Sequence, residues 1–163
     1  MELEQIVENA YYESVTGVRT GDTKNECREI RRYIRDAEEI VIPNHNEEKV
    51  VAINEVLEEF GLSQAKHLQI HTDACDLSRM PAMTKAIMAL DICSCDLVIA
   101  RGRLGIPGSG SILVILDKKG RILTASLSPP HIVHGKPVSE AVRDEMTAAL
   151  ERIGFTRSRG KSE

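Results

Sequence analysis

LVIARGRLGIPGSGSILVILDKKGRILTASLS, residues 97–128, decides how this chain is read. An apolar run from Cys95 to Arg101 predicts a buried strand, and it enters a loop holding Gly102, Gly105, Gly108 and Gly110. Arg101 and Arg103 stand at the mouth of that loop, Ser109 and Ser111 at its exit. Beyond it, Ser111–Asp117 and Arg121–Ser128 flank a Lys-Lys-Gly turn, the pattern of a long β-hairpin. Hairpin strands are antiparallel, so a sheet that joins them to parallel strands is mixed.

Upstream, strands alternate with helices. Leu3, Ile6, Val7 and Ala10 give residues 3–14 one apolar face. Thr23 with Glu26 three residues later predicts a capping box, and the helix it starts carries Cys27, Ile30, Ile34 and Ala37 inward. Arg28, Arg31, Arg32 and Arg35 fall on its other side and read as solvated. Glu39–Pro43 is a short strand; Asn46 caps a helix that buries Val50, Ile53, Leu57 and Phe60 and closes at Gly61. His67–Thr72 is a strand, and Met80–Leu90 a helix with Pro81 in its first turn. Pro137 opens a last helix whose apolar face runs from Val138 through Ala141, Val142, Met146, Ala149 and Leu150 to Ile153. The expected fold is three-layer α/β/α with a mixed sheet, formed by residues 1–155 as one nucleotide-binding domain. Residues 156–163 are polar and mostly basic, and read as a disordered tail.

With 163 residues, 42% apolar and 28% charged, the chain has the composition of one soluble domain. No apolar run approaches the roughly 18 residues of a membrane span, and the acidic, amphipathic start is unlike a secretory signal, so a cytoplasmic protein is expected. Cys27, Cys75, Cys93 and Cys95 lack CxxC spacing and read as reduced thiols. Aromatics are only 3% and the net charge is −4, which argues against a nucleic-acid polymer as partner and leaves a mononucleotide.

The charge is uneven. Residues 99–136 hold six cations (Arg101, Arg103, Lys118, Lys119, Arg121, Lys136) against Asp117 alone. Glycines let backbone N–H groups approach an anion, serine hydroxyls add donors, and guanidinium grips phosphate bidentately. The segment 101–111 therefore reads as a phosphate seat, the alternative being a flexible interstrand loop with surface arginines. A second anion site is expected where Pro43-Asn44-His45-Asn46-Glu47-Glu48-Lys49 joins a strand to a helix, because the free N–H groups above Asn46 and the Lys49 ammonium favour phosphate.

Nucleotidyl transfer needs cations on the triphosphate, a metal bridging its oxygens and an acceptor in line with the α-phosphorus. Lys49, Arg101 and Arg103 supply the first, with Asn44, Asn46, Ser109, Gly110 and Ser111 around the nucleotide. Asp73 and Asp76 are candidate Mg²⁺ ligands, although Asp76 also suits a helix cap. Arg19–Lys24, with Thr20, Asp22 and Lys24, suits an acidic heterocycle or simple capping. His131 reads as a proton acceptor and His134 as a substrate contact, or both as exposed loop histidines. Ser126 and Ser128 alternate along the last strand and are expected to hydrogen-bond substrate.

Two resemblances bear on this. Val41–Phe60 resembles the opening strand, Asn-x-x-Lys loop and helix of the inosine triphosphatase-like (nucleoside triphosphate pyrophosphatase) fold, with Asn46 and Lys49 in the matching places; there the loop grips a triphosphate. HTDACDLSRMPAMTKAIMALDI and DLVIARGRLGIPGSGSILVILDKKGRILTASLSPPH resemble the HcgB family of small methanogen proteins, pyridinol guanylyltransferases of [Fe]-hydrogenase cofactor biosynthesis. That resemblance implies transfer of GMP from GTP to the hydroxyl of a substituted pyridinol, with Mg²⁺, releasing pyrophosphate. The residue roles above come from chemistry alone. A pyrophosphatase or a non-catalytic nucleotide-binding module are the alternatives, and the exposed hairpin edge leads to an expected homodimer.

Overall fold

A computed structural model describes residues 2–158 of the chain. In chain order the elements are α1 (Glu2–Thr16), α2 (Lys24–Asp36), β1 (Ile40–Asn44), α3 (Glu47–Glu59), β2 (Lys66–Gln69), a 3₁₀ turn (Asp73–Leu77), α4 (Pro81–Ile92), β3 (Leu97–Arg103), β4 (Ser111–Asp117), β5 (Ile122–Ser128), α5 (His131–His134) and α6 (Val138–Glu151). The sheet order is β2-β1-β3-β4-β5. β1 pairs in parallel with β2 and β3, whereas β4 pairs antiparallel with both β3 and β5, so the sheet is mixed as the hairpin requires.

Strand alternation sends successive residues to opposite layers. Leu97 and Ile99 of β3, with Leu113 and Ile115 of β4, pack beneath α3 and α6 against Ile53, Leu57, Val142 and Met146. Val98, Ala100, Val114 and Leu116 face the other way, onto Ala82, Ala86 and Ala89 of α4. Each fully buried aliphatic side chain stabilises by roughly 1.5–3 kcal/mol, so a sheet covered on both faces dominates the stability. The same alternation carries Arg101 and Ser111 to the α3/α6 face. Gly102 lies on the α4 face, where a Cβ would stand 2.7 Å from the backbone nitrogen of Ala82.

Local signals place most element ends. Thr23 Oγ1 accepts from Glu26 N at 3.1 Å and Glu26 Oε1 accepts from Thr23 N at 2.8 Å, the reciprocal capping box. Asn46 Oδ1 accepts from Glu48 N at 2.9 Å and starts α3. α1 and α2 form a hairpin joined to the rest through its base. Leu3 is buried, Glu4 pairs with Lys119 and Arg121, and Tyr33 donates to the Asp96 carbonyl.

Several details depart from the expectations. The segment after β2 is a 3₁₀ turn rather than a loop, and Pro129–Lys136 contains the one-turn helix α5. Two of the α2 arginines are not simply solvated: Arg31 donates to the Ile153 carbonyl at 2.6 Å, and Arg35 lies over the Phe155 ring. The tail expected to be disordered begins with residues held on α3, since Arg157 pairs with Glu59 at 2.8 Å and Ser158 N donates to the Glu59 carbonyl. Residues 159–163 lie outside the described residues.

Candidate functional site

The chain runs up β1 into α3, up β2 through the 3₁₀ turn into α4, and up β5 through α5 into α6. All three long helices that flank the sheet therefore start at one edge, where β1, β2, β3 and β5 end and β4 begins. Their N-terminal N–H groups and dipoles put positive potential there. Between β1 and β3 the connections diverge: α3 leads to β2 on one side of β1, while α4 leads to β3 on the other. A crevice opens outside the strand ends at such a switch point, and ligands collect in it.

Cations converge on this crevice. Lys49 is in the first turn of α3, Lys85 in the first turns of α4, and Arg101 near the end of β3. Burial holds the Lys49 ammonium below the ordinary lysine range, and the like charges of Arg101 and Lys85 push it the same way. Lys85 Nζ donates to the Arg101 carbonyl at 3.1 Å and lies 3.8 Å from Asp76 Oδ1. Three cations share two acidic neighbours, Asp76 and Glu145, and Glu145 is committed to Arg101. Its carboxylate accepts from Arg101 Nε at 2.6 Å and Nη2 at 3.2 Å, and from Ser111 Oγ at 2.6 Å. Among the described residues no hydrogen bond is made by Arg101 Nη1, so the paired guanidinium keeps a donor edge. Donors and charge so arranged suit an anion with several oxygens.

The glycine loop itself departs from a phosphate cradle. Leu104 N donates to the Gly110 carbonyl, Ser109 N to the Ile106 carbonyl, and Gly105 N to Ser109 Oγ at 2.8 Å. Arg103 donates to the Gly105 carbonyl at 2.7 Å and to the Asp76 carbonyl at 2.8 Å, tying the loop to the 3₁₀ turn. Ser109 and Arg103 thus hold the loop closed, since polar groups so close in sequence satisfy one another first. Gly110 has φ +90° and lies so near the Ser128 carbonyl that any Cβ would collide with it.

Asn44, buried at the end of β1, accepts from Asn46 N at 2.9 Å and shapes the turn that aims Lys49. The Ser126 hydroxyl donates to the Glu145 carbonyl at 2.6 Å and, beside Thr124, ties β5 to α6. Ser128 stands opposite Ser111 in the sheet. Thr20, Asp22 and Lys24 sit at the tip of the α1–α2 hairpin, where Arg19 pairs with Glu13, Asp22 and Glu26. Among the described residues no hydrogen bond or ion pair joins that tip to the crevice.

His131 and His134 stand edge to face, with ring centroids 5.2 Å apart, in the wall of a cleft of about 400 Å³ that begins at Arg101 and Ser111. His134 Nδ1 accepts from Lys136 N at 3.0 Å, which leaves Nε2 to carry the proton of the neutral ring. Asp73 and Asp76 open the 3₁₀ turn at positions i and i+3, which eclipse in that geometry and bring both carboxylates to one face. Among the described residues no group of three or more His, Cys, Asp or Glu side chains is arranged to hold a metal by itself. Asp73 Oδ1 lies 3.7 Å from His45 Nδ1 and Asp76 Oδ1 3.8 Å from Lys85 Nζ; one or two carboxylates are what Mg²⁺ takes from a protein, its shell being completed by phosphate oxygens and water.

Lys85 and Glu145 were not singled out from sequence. Lys85 occupies in Pro-Ala-Met-Thr-Lys the same early-helix place as Lys49, and Glu145 interrupts an apolar stripe, which is the sign of a buried, paired carboxylate. No helix among the described residues is long and apolar enough to cross a membrane. A family model described as FeGP cofactor biosynthesis protein HcgB, guanylyltransferase, matches residues 3–155.

Proposed function

The chain belongs to the HcgB family, guanylyltransferases of FeGP cofactor biosynthesis, and from that premise we propose that it transfers GMP from GTP to the hydroxyl of a substituted pyridinol. The observation that carries the reading is the convergence of Lys49, Lys85 and Arg101 on the crevice between β1 and β3, under the N-termini of α3 and α4.

The acceptor oxygen forms a bond to the α-phosphorus while the bond from that phosphorus to the bridging oxygen breaks. The electron pair departs with pyrophosphate, and the hydroxyl proton passes to a base. Lys49 and Lys85 neutralise charge that grows on the departing pyrophosphate, and the donor edge of Arg101 holds the α-phosphate oxygens. Asp76 and Asp73 would hold Mg²⁺, which when bound would supply further positive charge against the triphosphate. His131, which with His134 lines the cleft that begins at Arg101, is the proposed proton acceptor. β5 is an edge strand with Ile122 and Leu127 exposed, which supports pairing of two copies into a homodimer.

Incubating the protein with GTP, Mg²⁺ and a hydroxypyridine tests the reading. A mass increment of one GMP on the pyridine, with release of pyrophosphate, is expected. Arg101→Ala and Lys49→Ala should each lower kcat/KM by about a hundredfold, the scale of losing one transition-state cation. Release of free GMP without acceptor would assign the site to hydrolysis instead.

A further inference from the structure

We infer that the cleft between the start of α1, α2 and the turns leading into β1 and β3 binds a linear alkyl polyamine, at the end of the sheet opposite the crevice of Lys49 and Arg101.

β1 and β3 are parallel and both run toward that crevice, so residues 37–39 and Asp96, which lead into them, lie at the other end. A cleft of about 450 Å³ opens there. Its wall carries the carboxylates of Glu2 from α1, Glu29 and Asp36 from α2, and Glu38 and Asp96, against the single cation Arg32. Negative charge gathers at this end of the sheet as positive charge gathers at the other, and such a field draws a cationic ligand.

Exposed acids need nothing but water, and Asp96 is already in use, since its Oδ2 accepts from Glu38 N at 3.1 Å and Glu39 N at 3.0 Å. Glu29 differs. Its side chain is only 9% exposed, and Oε2 is buried with no hydrogen-bond partner among the described residues. Its ion pair with Arg32 Nη1 spans 3.9 Å, too long for a hydrogen bond, and the Arg32 side chain is 61% exposed. A buried carboxylate oxygen left without a donor costs free energy, which a ligand with N–H donors and positive charge recovers.

The rest of the wall selects the kind of cation. Among the described residues no three carboxylates are arranged to hold a metal ion, and the cleft is far larger than one ion fills. Leu3, Tyr33 and Ala37 add apolar surface to the same wall. Ammonium groups separated by methylenes match both features: each ammonium brings three donors to a carboxylate, and the methylenes cover the apolar surface.

Titration calorimetry with spermidine and with 1,4-diaminobutane, beside magnesium chloride as a control, tests the inference. Glu29→Gln keeps the shape of the side chain and removes the buried charge. Glu8→Gln removes the same charge from an exposed position of α1 outside the cleft. Polyamine affinity should fall by at least about tenfold in the first and stay within about twofold in the second. Spermidine should raise the unfolding temperature of the wild type and not that of Glu29→Gln, which without ligand should be at least as stable as the wild type. Absence of polyamine binding by the wild type, or equal weakening in both variants, would overturn the inference. So would Mg²⁺ binding that Glu29→Gln abolishes, which would give the site to a metal, or a less stable Glu29→Gln, which would make Glu29 a structural partner of Arg32.

Discussion

Glu145 of α6 grips Arg101 of β3 from below the crevice: the carboxylate is fully buried, accepts both Arg101 Nε and Nη2, and takes the Ser111 hydroxyl as a third donor. The pair fixes the rotation of the guanidinium, so the one edge left for a phosphate oxygen points in one direction. It also joins the sheet to α6, because Ser126 donates to the Glu145 carbonyl. Glu145→Ala would strand a cation beside an apolar layer, and breaking such a pair costs on the order of 3–5 kcal/mol. Thermal unfolding should show the large loss for Glu145→Ala and a smaller one for Glu145→Gln, which keeps the shape and one acceptor. Equal, small losses in both would show that the pair contributes little.

Lys49 sets a pH dependence whose sign follows from its environment. Its ammonium is held below the ordinary lysine range by burial and by Arg101 and Lys85, so the folded protein releases this proton more easily than the unfolded chain. Below the folded value the buried charge costs stability in full; the cost falls as pH rises above that value and is gone once pH passes the ordinary lysine value. A bound polyanion has the opposite effect and returns the proton. Nucleotide affinity should therefore be highest below the folded value of Lys49 and fall as pH rises through it, with proton uptake on binding measurable by calorimetry in buffers of different ionisation enthalpy. Lys49→Ala should abolish that limb.

Gly110 is the position in the loop least able to change. Its φ of +90° disfavours any side chain, and a Cβ would stand only 2.2 Å from the Ser128 carbonyl oxygen. Gly110→Ala should cost roughly 1–3 kcal/mol in urea unfolding, through backbone strain and the displaced start of β4. Gly108→Ala, where a Cβ meets nothing within 4 Å, keeps only the penalty of its positive φ and should cost less.

Glu4 anchors the base of α1 through Arg121 at 2.5 Å and Lys119 at 3.1 Å. Hydrogen bonds from Arg121 and then Lys119 hold its carboxyl down to about 2. A depressed carboxylate contributes above its ordinary value of 4.5 and loses that contribution as pH falls through about 2. Hydrogen exchange in α1 should therefore accelerate selectively over that acid range. Glu4→Gln should show faster exchange already at neutral pH and no such step in acid.

Much of the architecture was legible because its causes are local. Thr23 with Glu26, Asn46 before α3, Pro81 at the start of α4 and the Lys-Lys-Gly turn each act within a few residues, and the periods of 2 and 3.6 separate strands from helices. Lys49 was legible for the same reason, since a lysine one turn above an Asn cap has its place set by the cap. The roles of the other cations were not. Arg101 and Arg103 are two residues apart on one strand and look equivalent, yet one meets a carboxylate 44 positions away and keeps a free edge, while the other is spent on two loop carbonyls. The Thr20–Lys24 loop has suitable donors, but among the described residues no hydrogen bond or ion pair joins it to Lys49, Lys85 or Arg101.

The amino-acid sequence by itself determined the alternation of strands and helices, the mixed sheet and the family, because capping, turn chemistry and hydrophobic period act over one or two turns of chain. Only the tertiary structure decided which polar groups remain available. A donor is free for a ligand only when no nearer acceptor satisfies it, and for Arg101, Ser126 and Lys85 the deciding acceptors or neighbours are set by packing. The segment that looked like a phosphate cradle is closed on itself, and the crevice that gathers Lys49, Lys85 and Arg101 lies beside it, where three helices begin and the strand order diverges.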